Sequence, residues 1–536
     1  MDIKYLLNGK IKETNASNED LIIEESNEKN HHLGSIKALK DLQLIEARQS
    51  MSHPLPNGNQ YFINGYQSWT NTTVGDLSLK EIDVNRFPKF LLKKLPVQRY
   101  GDYEFYKYNK NKLHSYDVFY SEGQAGIGVI NNIPKHAFLI IELLKKENII
   151  NFISDVEYLS LKENEETIIF DYEIYSSKEE TIKAFNEKYP LLNKEKIYGY
   201  TSWYNYYQDI NEEIILRDLV GLDNRFNLFQ IDDGYETFVG DWLDIDIKKF
   251  PHGLKPIVDS IHAKGLKAGI WLAPIVAEKN SKVFKEHPEW FKKDQKGNPI
   301  QTGINWSGQY IMDLENEEVI AYIRKCLEFY MDMGFDFFKL DFLYSSNCGE
   351  LKTTRAETSE KTYQMLRNIL KDKLILGCGA TIFNSYKNFD YLRIGPDMSL
   401  SFDDAFWMRG LHRERPSTKN TIQNTISRHI FNDRLFGNDP DVFLLRDTNI
   451  KLSKEQKRAL AIINALFGHV YMNSDDMNTY SDEAKKILKH CEELFFHAED
   501  VTFTNEGKFI KVQYTLNKEE HGFTYDKNKG VMSNER

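Results

Sequence analysis

Residues 337–344 read Phe337-Phe338-Lys339-Leu340-Asp341-Phe342-Leu343-Tyr344. An apolar run broken by one lysine and ended by one aspartate has the make-up of a buried β-strand that closes on a charge. Burying an unpaired carboxylate costs several kcal/mol, so such a strand needs a reason. Further along, Tyr391-Leu392-Arg393-Ile394-Gly395-Pro396-Asp397 repeats the design: apolar strand, cation, acid. When several strands end on charges, the usual reason is an active site at the C-terminal mouth of a parallel barrel. Two carboxylates facing each other there can run glycoside hydrolysis, one as nucleophile and one as acid/base.

The flanking sequence supports a barrel around these strands. From Tyr198 onward, apolar strand candidates recur at Gly199–Trp203, Leu228–Asp232, Ala268–Ala273, Phe337–Asp341, Leu374–Gly377, Tyr391–Gly395, Val442–Leu445 and Val470–Asn473. Helical patterns fall between many of them, as at Glu318–Met333 and Ser359–Leu370. That alternation predicts a multidomain chain with a central (β/α)8 TIM barrel over residues 198–485. Upstream, short apolar runs such as Gln60–Ile63, Gly126–Ile130 and Thr167–Tyr172 recur between polar turns, which predicts an N-terminal β-sandwich over 1–176. A charged helical stretch from Ser177 to about Lys188 opens a linker, 177–197. Alternation returns in Lys508–Tyr514, and 486–536 reads as a small antiparallel C-terminal β domain.

Composition narrows the function classes. At 536 residues the chain exceeds one compact core. With 69 Lys+Arg against 80 Asp+Glu its net charge is −11, which argues against nucleic acid or anionic membrane as partner. Four cysteines, Cys326, Cys348, Cys378 and Cys491, show no pairing pattern. The first residues, Met1–Asn8, lack an apolar leader, and a cytoplasmic location is expected. Metal-ligand spacing, phosphate loops and nucleophile elbows are absent, so no cofactor and no metal are implied. Self-association into a homo-oligomer is compatible with the sequence.

If the barrel forms, Trp203, Asp232-Asp233, Trp271, Lys339, Asp341, Cys378, Arg393 and Asp397 converge at its mouth. Carboxylates, cations and indoles together suit a polyhydroxylated ligand held against aromatic faces. Lys339 and Asp341 share a strand face, and a lysine so placed keeps a carboxylate ionised, as a nucleophile requires. Gly395-Pro396 swings Asp397 out of its strand, where neighbouring like charges would favour the protonated form a general acid needs. Asp232 and Asp233 read alone as a turn, but after Phe229-Gln230-Ile231 they end a buried strand and can accept from neighbouring hydroxyls. Trp203 and Trp271 divide evenly between core packing and a sugar platform. Asp313 reads as the N-cap of the following helix.

At these residues the chain resembles the glycoside hydrolase family 36 α-galactosidases. The matching segments are Asn64-Gly65-Tyr66-Gln67-Ser68-Trp69, Gly199–Tyr204, Phe229–Tyr235, Gly240–Leu243, Gly269–Pro274, Phe338–Leu343, Leu376–Gly379, Arg393–Asp397 and Asn438-Asp439-Pro440-Asp441. The resemblance implies a retaining hydrolase with Asp341 as nucleophile and Asp397 as acid/base. It also implies that Asp232 and Asp233 bind the O4 and O6 side of galactose, and that Lys339, Arg393, Cys378, Trp203 and Trp271 line the pocket. Trp69 is the residue it assigns to the N-terminal region's share of the site. Melibiose- or raffinose-type α-galactosides are the implied substrates. Tyr66 and Tyr200 stand where many relatives carry Trp, which touches subsite shape more than chemistry. The rivals are an α-N-acetylgalactosaminidase of the same fold, an inactive sugar-binding protein, and a phosphate-handling barrel lyase. Bulky Arg393 with Cys378 speaks against the first, the two acids against the second, and the lack of a phosphate loop against the third.

Overall fold

The computed structural model describes residues 1–403 and 410–535. At its centre lies one nine-stranded sheet in which every pairing is parallel. In spatial order its strands are Gly437–Asp439, Tyr391–Arg393, Leu374–Gly377, Phe337–Leu340, Lys267–Leu272, Leu228–Ile231, Ile197–Thr201, Val470–Asn473 and Val442–Phe443. A parallel sheet is covered on both faces, which is why these segments are apolar runs and not alternating ones. Phe229, Ile270, Phe338 and Ile375 are fully buried.

The first and last strands of that path are separated along the chain only by Pro440 and Asp441. Proline offers no N–H to a ladder, and Asp441 takes a left-handed φ of 75°. One run of chain is interrupted there and gives a half to each end of the sheet. The strand expected at Val442–Leu445 is therefore a broken one that starts at Gly437.

Helices occupy the connections. In Glu317–Met333 the buried residues Val319, Ile323, Cys326, Leu327 and Tyr330 recur at helical spacing. Asn316 caps it, its side chain accepting from the Glu318 N–H at 2.9 Å. Asp313, expected as that cap, sits in a separate turn, where its carbonyl accepts from the Asn316 N–H at 3.0 Å and its side chain from the Glu315 N–H at 3.2 Å.

Upstream, two seven-stranded antiparallel sheets face each other. They share one core, with Ile3, Leu44 and Phe152 from one sheet meeting Ile36, Phe119 and Phe170 from the other. The helix Lys178–Lys188 follows, capped by Ser177. A three-stranded antiparallel insert, Val276–Glu278, Gln309–Ile311 and Gln301–Gly303, interrupts the parallel sheet's chain order. At the C-terminus the helix Asp482–His497 runs into the stretch read as β, burying Leu488, Cys491, Leu494 and Phe495. The four-stranded antiparallel sheet starts only at Glu499. All four cysteines are buried free thiols. Among the described residues, no helix is long and apolar enough to cross a membrane.

Candidate active site

Asp341 stands one residue beyond the strand Phe337–Leu340. Phe342 next to it takes a left-handed φ of 58°, and its N–H donates to Asp341 Oδ1 at 2.8 Å. Trp271 Nε1 donates to Oδ2 at 3.0 Å. Each carboxylate oxygen thus has its own N–H donor, and the residue is only 9% exposed. Burial pushes the Asp341 pKa up to about 6, with Asp397 adding to the rise and Lys339, Trp271 and the Phe342 N–H opposing it.

Lys339 does not pair with Asp341. Its ammonium donates to Asp232 Oδ2 at 2.8 Å, so it acts on Asp341 only through space, and Asp341 ionises less readily than the shared strand face implies. Burial works against the lysine's charge, but Asp232, joined by Cys378 and Asp341, holds the ammonium above the ordinary lysine range. Asp232 also accepts from Gln230 Nε2 at 2.7 Å and Thr201 Oγ1 at 3.1 Å.

Asp233 is held by residues the sequence reading did not single out. Trp306 Nε1 donates to it at 2.9 Å and Gln208 Nε2 at 3.1 Å. Burial, and then the charge of Asp233, push the Glu236 carboxyl far above its ordinary range. Burial raises Asp233 as well. Trp306 reaches this position from the small insert, at a φ of 51°, with its ring 5.2 Å from that of Phe342.

Arg393 ends the strand Tyr391–Arg393 and spreads its guanidinium over three carboxylates. Nη1 lies 2.9 Å from Asp397 Oδ1, Nε 2.8 Å from Asp439 Oδ2 and Nη2 2.9 Å from Asp441 Oδ1. Asp439 and Asp441 come from the two sides of the broken strand. Asp441 also accepts from the Tyr204 hydroxyl and from the Met398 N–H. Burial raises its pKa, and Arg393 only partly offsets that. The sequence places Asp397 among like charges; the structure adds a guanidinium on one of its oxygens. Its side chain stays 42% exposed, while those of Asp439 and Asp441 are enclosed.

Cys378 is buried among charges: burial and then Asp341 push its thiol well above the ordinary range, against the pull of Arg393 and Lys339. Trp69 comes from the N-terminal sheets and meets Phe342 and Tyr344 edge-on, with ring centroids 5.4 and 5.6 Å apart. That approach explains the glycine after Cys378: at Gly379, φ 65°, a Cβ would lie 3.2 Å from both Trp69 Cζ2 and Tyr344 Cδ1. Trp203 opens the short helix Trp203–Tyr206 and does not end a strand, because the strand stops at Thr201.

The structure thus gathers Trp69, Trp271, Lys339, Asp341, Cys378 and Asp232 into one group and Arg393 with Asp397 into another, the two linked through the charges of Asp341 and Asp397. Trp203 stands edge-on to Tyr207, with ring centroids 5.1 Å apart. Trp306, Gln208 and Glu236 were missed because they lie in loops or, for Gln208, a single 3-10 turn, without a strand-end signature. Asp439 and Asp441 carried one signal, the acids flanking Pro440. Among the described residues, no group of three His, Cys, Asp or Glu side chains is placed to hold a metal ion.

Residues 183–375 match the Melibiase family model. That stretch of the chain is similar to melibiases. The match takes in Asp232, Asp233, Trp271, Lys339 and Asp341 and stops short of Cys378, Arg393 and Asp397. Alpha-galactosidase 1 of Pediococcus pentosaceus is 31% identical over 136 residues, which is 24% of this chain and 18% of that protein. The aligned stretch is thus about a fifth of that relative's length. Two solved structures share the fold across nearly the whole chain. TtGalA, an alpha-galactosidase from Thermus thermophilus, has a TM-score of 0.70 at 23% identity, covering 97% of this chain and 98% of its own. The family 36 alpha-galactosidase AgaA from Geobacillus stearothermophilus has a TM-score of 0.63 at 10% identity, covering 98% and 81%. The resemblance to glycoside hydrolase family 36 is borne out, and the multidomain fold is like that of these solved alpha-galactosidases.

Proposed function

We propose that this protein is a retaining exo-α-galactosidase. Asp341 attacks the anomeric carbon while Asp397 protonates the departing oxygen, and a covalent galactosyl-enzyme forms. Asp397 then takes a proton from incoming water, which releases galactose with its anomeric configuration retained. The observation that carries this reading is the contrast between the two acids. Asp341 is buried and fixed by one N–H on each oxygen. Asp397 has one oxygen on Arg393 and a side chain open enough to exchange protons with water. A nucleophile needs the first setting and an acid/base the second. Asp232 and Asp233 would select galactose through its O4 and O6 side, and no cofactor takes part.

The parallel sheet is read here as a (β/α)8 barrel whose seventh strand is the interrupted Gly437–Phe443. The antiparallel sheets before and after it are read as separate domains. Melibiose- and raffinose-type sugars are the proposed substrates. In support, TtGalA has been solved with p-nitrophenyl α-D-galactopyranoside and with stachyose, and a variant of AgaA with raffinose. Rates on p-nitrophenyl α-galactoside and on its 2-acetamido analogue test the reading. Turnover of the first and little of the second is expected. The reverse preference would make the protein an α-N-acetylgalactosaminidase, and turnover of neither would remove the enzymatic reading.

A further inference from the structure

Tyr207 has no role in the reaction as described, yet its setting is unusual. It takes φ 49° and ψ −131°, a combination that side-chain-bearing residues rarely adopt, and 40% of it is exposed. The surroundings hold it there. Gln208 Nε2 donates to both oxygens of Asp233, at 3.1 and 3.2 Å. Lys249 Nζ donates to the carbonyls of Gln208 and Gly234, at 2.7 and 3.0 Å. At Gly234, φ 118°, a Cβ would lie 2.7 Å from Gln208 Cα, so the two backbones touch. Gln208 is committed to the binding carboxylate, and the reversal at Tyr207 leaves the preceding ring in the open. That ring stands edge-on to Trp203, with centroids 5.1 Å apart and planes at 87°. Tyr204, three residues earlier in the same turn, donates its hydroxyl to Asp441, and Asp441 and Asp397 share the Arg393 guanidinium, so the segment that leads into Tyr207 is anchored on the Asp397 side of the site.

In the reaction proposed above, Asp397 is the group that meets the departing oxygen. An exposed aromatic surface on that side of the site is placed for the leaving group, with galactose itself toward Asp341 and Asp233. We propose that Tyr207, buttressed by Trp203, is the platform for the sugar unit on the leaving side of the scissile bond and determines preference among leaving groups. The apolar face of a pyranose packs on such a ring. This inference rests on the activity reading.

The test compares raffinose with α-galactosyl fluoride, which share the galactosyl unit and differ in the leaving group; fluoride is too small to touch a platform. In the full chain, Tyr207→Ala should lower kcat/KM on raffinose about tenfold, the size of a lost ring contact. Its kcat/KM on the fluoride should stay within about twofold. Tyr207→Phe keeps the ring and should keep the native ratio. Tyr207→Gly should show the same selective loss with a thermal midpoint at or above the native one, since glycine accepts this backbone conformation without strain. Equal losses on both substrates, or an unchanged ratio, would overturn the platform while leaving the activity reading intact. Failure of the unaltered protein to turn over α-galactosyl fluoride would remove the activity reading, and the platform with it.

Discussion

Asp341 couples position to proton affinity. Its pKa of about 6 arises first from burial, so in the proposed reaction it would be protonated at acidic pH and unable to attack. The acid limb of kcat/KM should therefore fall away as pH drops through about 6, and not near the ordinary aspartate value. Trp271→Phe removes the N–H that favours the charged form, so this limb should move upward. The rate at pH 7 should also drop by about tenfold or more, the worth of a hydrogen bond to a charged group. A limb that stays put in Trp271→Phe would show that Asp341 is not the group titrating. Asp341→Gly should lose activity by orders of magnitude and regain turnover with azide, giving the β-galactosyl azide. Recovery of the α-azide would contradict attack from the face Asp341 occupies.

Two irregular elements, each placed by a break in regular structure, complete the site. The interruption at Pro440-Asp441 lets one strand send Asp439 and Asp441 to the same guanidinium. The three-stranded insert brings Trp306 to Asp233 from a loop tied down by Ser307, whose Oγ donates to Glu278 Oε2 at 2.6 Å. Trp306→Phe keeps the ring against Phe342 and deletes only the N–H on Asp233. The galactose inhibition constant should rise roughly tenfold to a hundredfold, the range for a hydrogen bond to a charged group, with little change in thermal midpoint. A large fall in midpoint with unchanged inhibition would show that the indole serves packing alone.

At the scale of the molecule, the N-terminal sheets and the parallel sheet are joined by buried polar contacts. Arg428 is fully buried. Its Nη1 donates to the carbonyls of Ser68 and Ile394, its Nη2 to that of Gln67 at 3.0 Å, and its Nε to Asn64 Oδ1 at 3.3 Å. The Trp69 loop is thereby tied to the strand segment that carries Arg393. Arg428→Leu strips these acceptors of their donor and should cost on the order of 3–5 kcal/mol of stability. For the same reason, a chain started at Tyr198 should be poorly active even when soluble, since it lacks Trp69.

His114 lies between Glu81 and Asp102, at 2.9 and 2.8 Å, and Asp102 in turn receives Arg413 Nη2 at 2.7 Å. Burial disfavours the imidazolium, but the two carboxylates override it and raise the His114 pKa to about 8. That pKa lies above the unfolded value of about 6.5, so the contribution is complete below pH 6.5 and is lost as pH rises through about 8. Its size is about 2 kcal/mol. The thermal midpoint should therefore decline from pH 6.5 to 8.5, and His114→Gln should lack that component of the decline.

The run Phe337–Asp341 and its counterpart Tyr391–Asp397 were enough to indicate a parallel sheet with acids at its strand ends, because strand burial and a terminal charge are both local properties of composition and order. The alternation of strand and helix, the β character of the flanks and the convergence of Asp232, Trp271, Asp341 and Arg393 follow from the same local signals. Which charge meets which does not. Lys339 shares a face with Asp341 yet reaches across the sheet to Asp232, because neighbours in space are set by the curl and register of strands distant in sequence. Trp306, Gln208 and Glu236 reach Asp233 from loops or, for Gln208, a single 3-10 turn, whose paths are fixed by contacts and not by periodicity. The helix Asp482–His497 forms inside a stretch read as β because its apolar residues, Leu488, Cys491 and Phe495 among them, have a neighbouring surface to cover. Local order and composition were enough to mark which strands end on acids; tertiary packing decided the proton affinity of Asp341 and the partner of each charge, since burial and through-space fields exist only once the chain has folded.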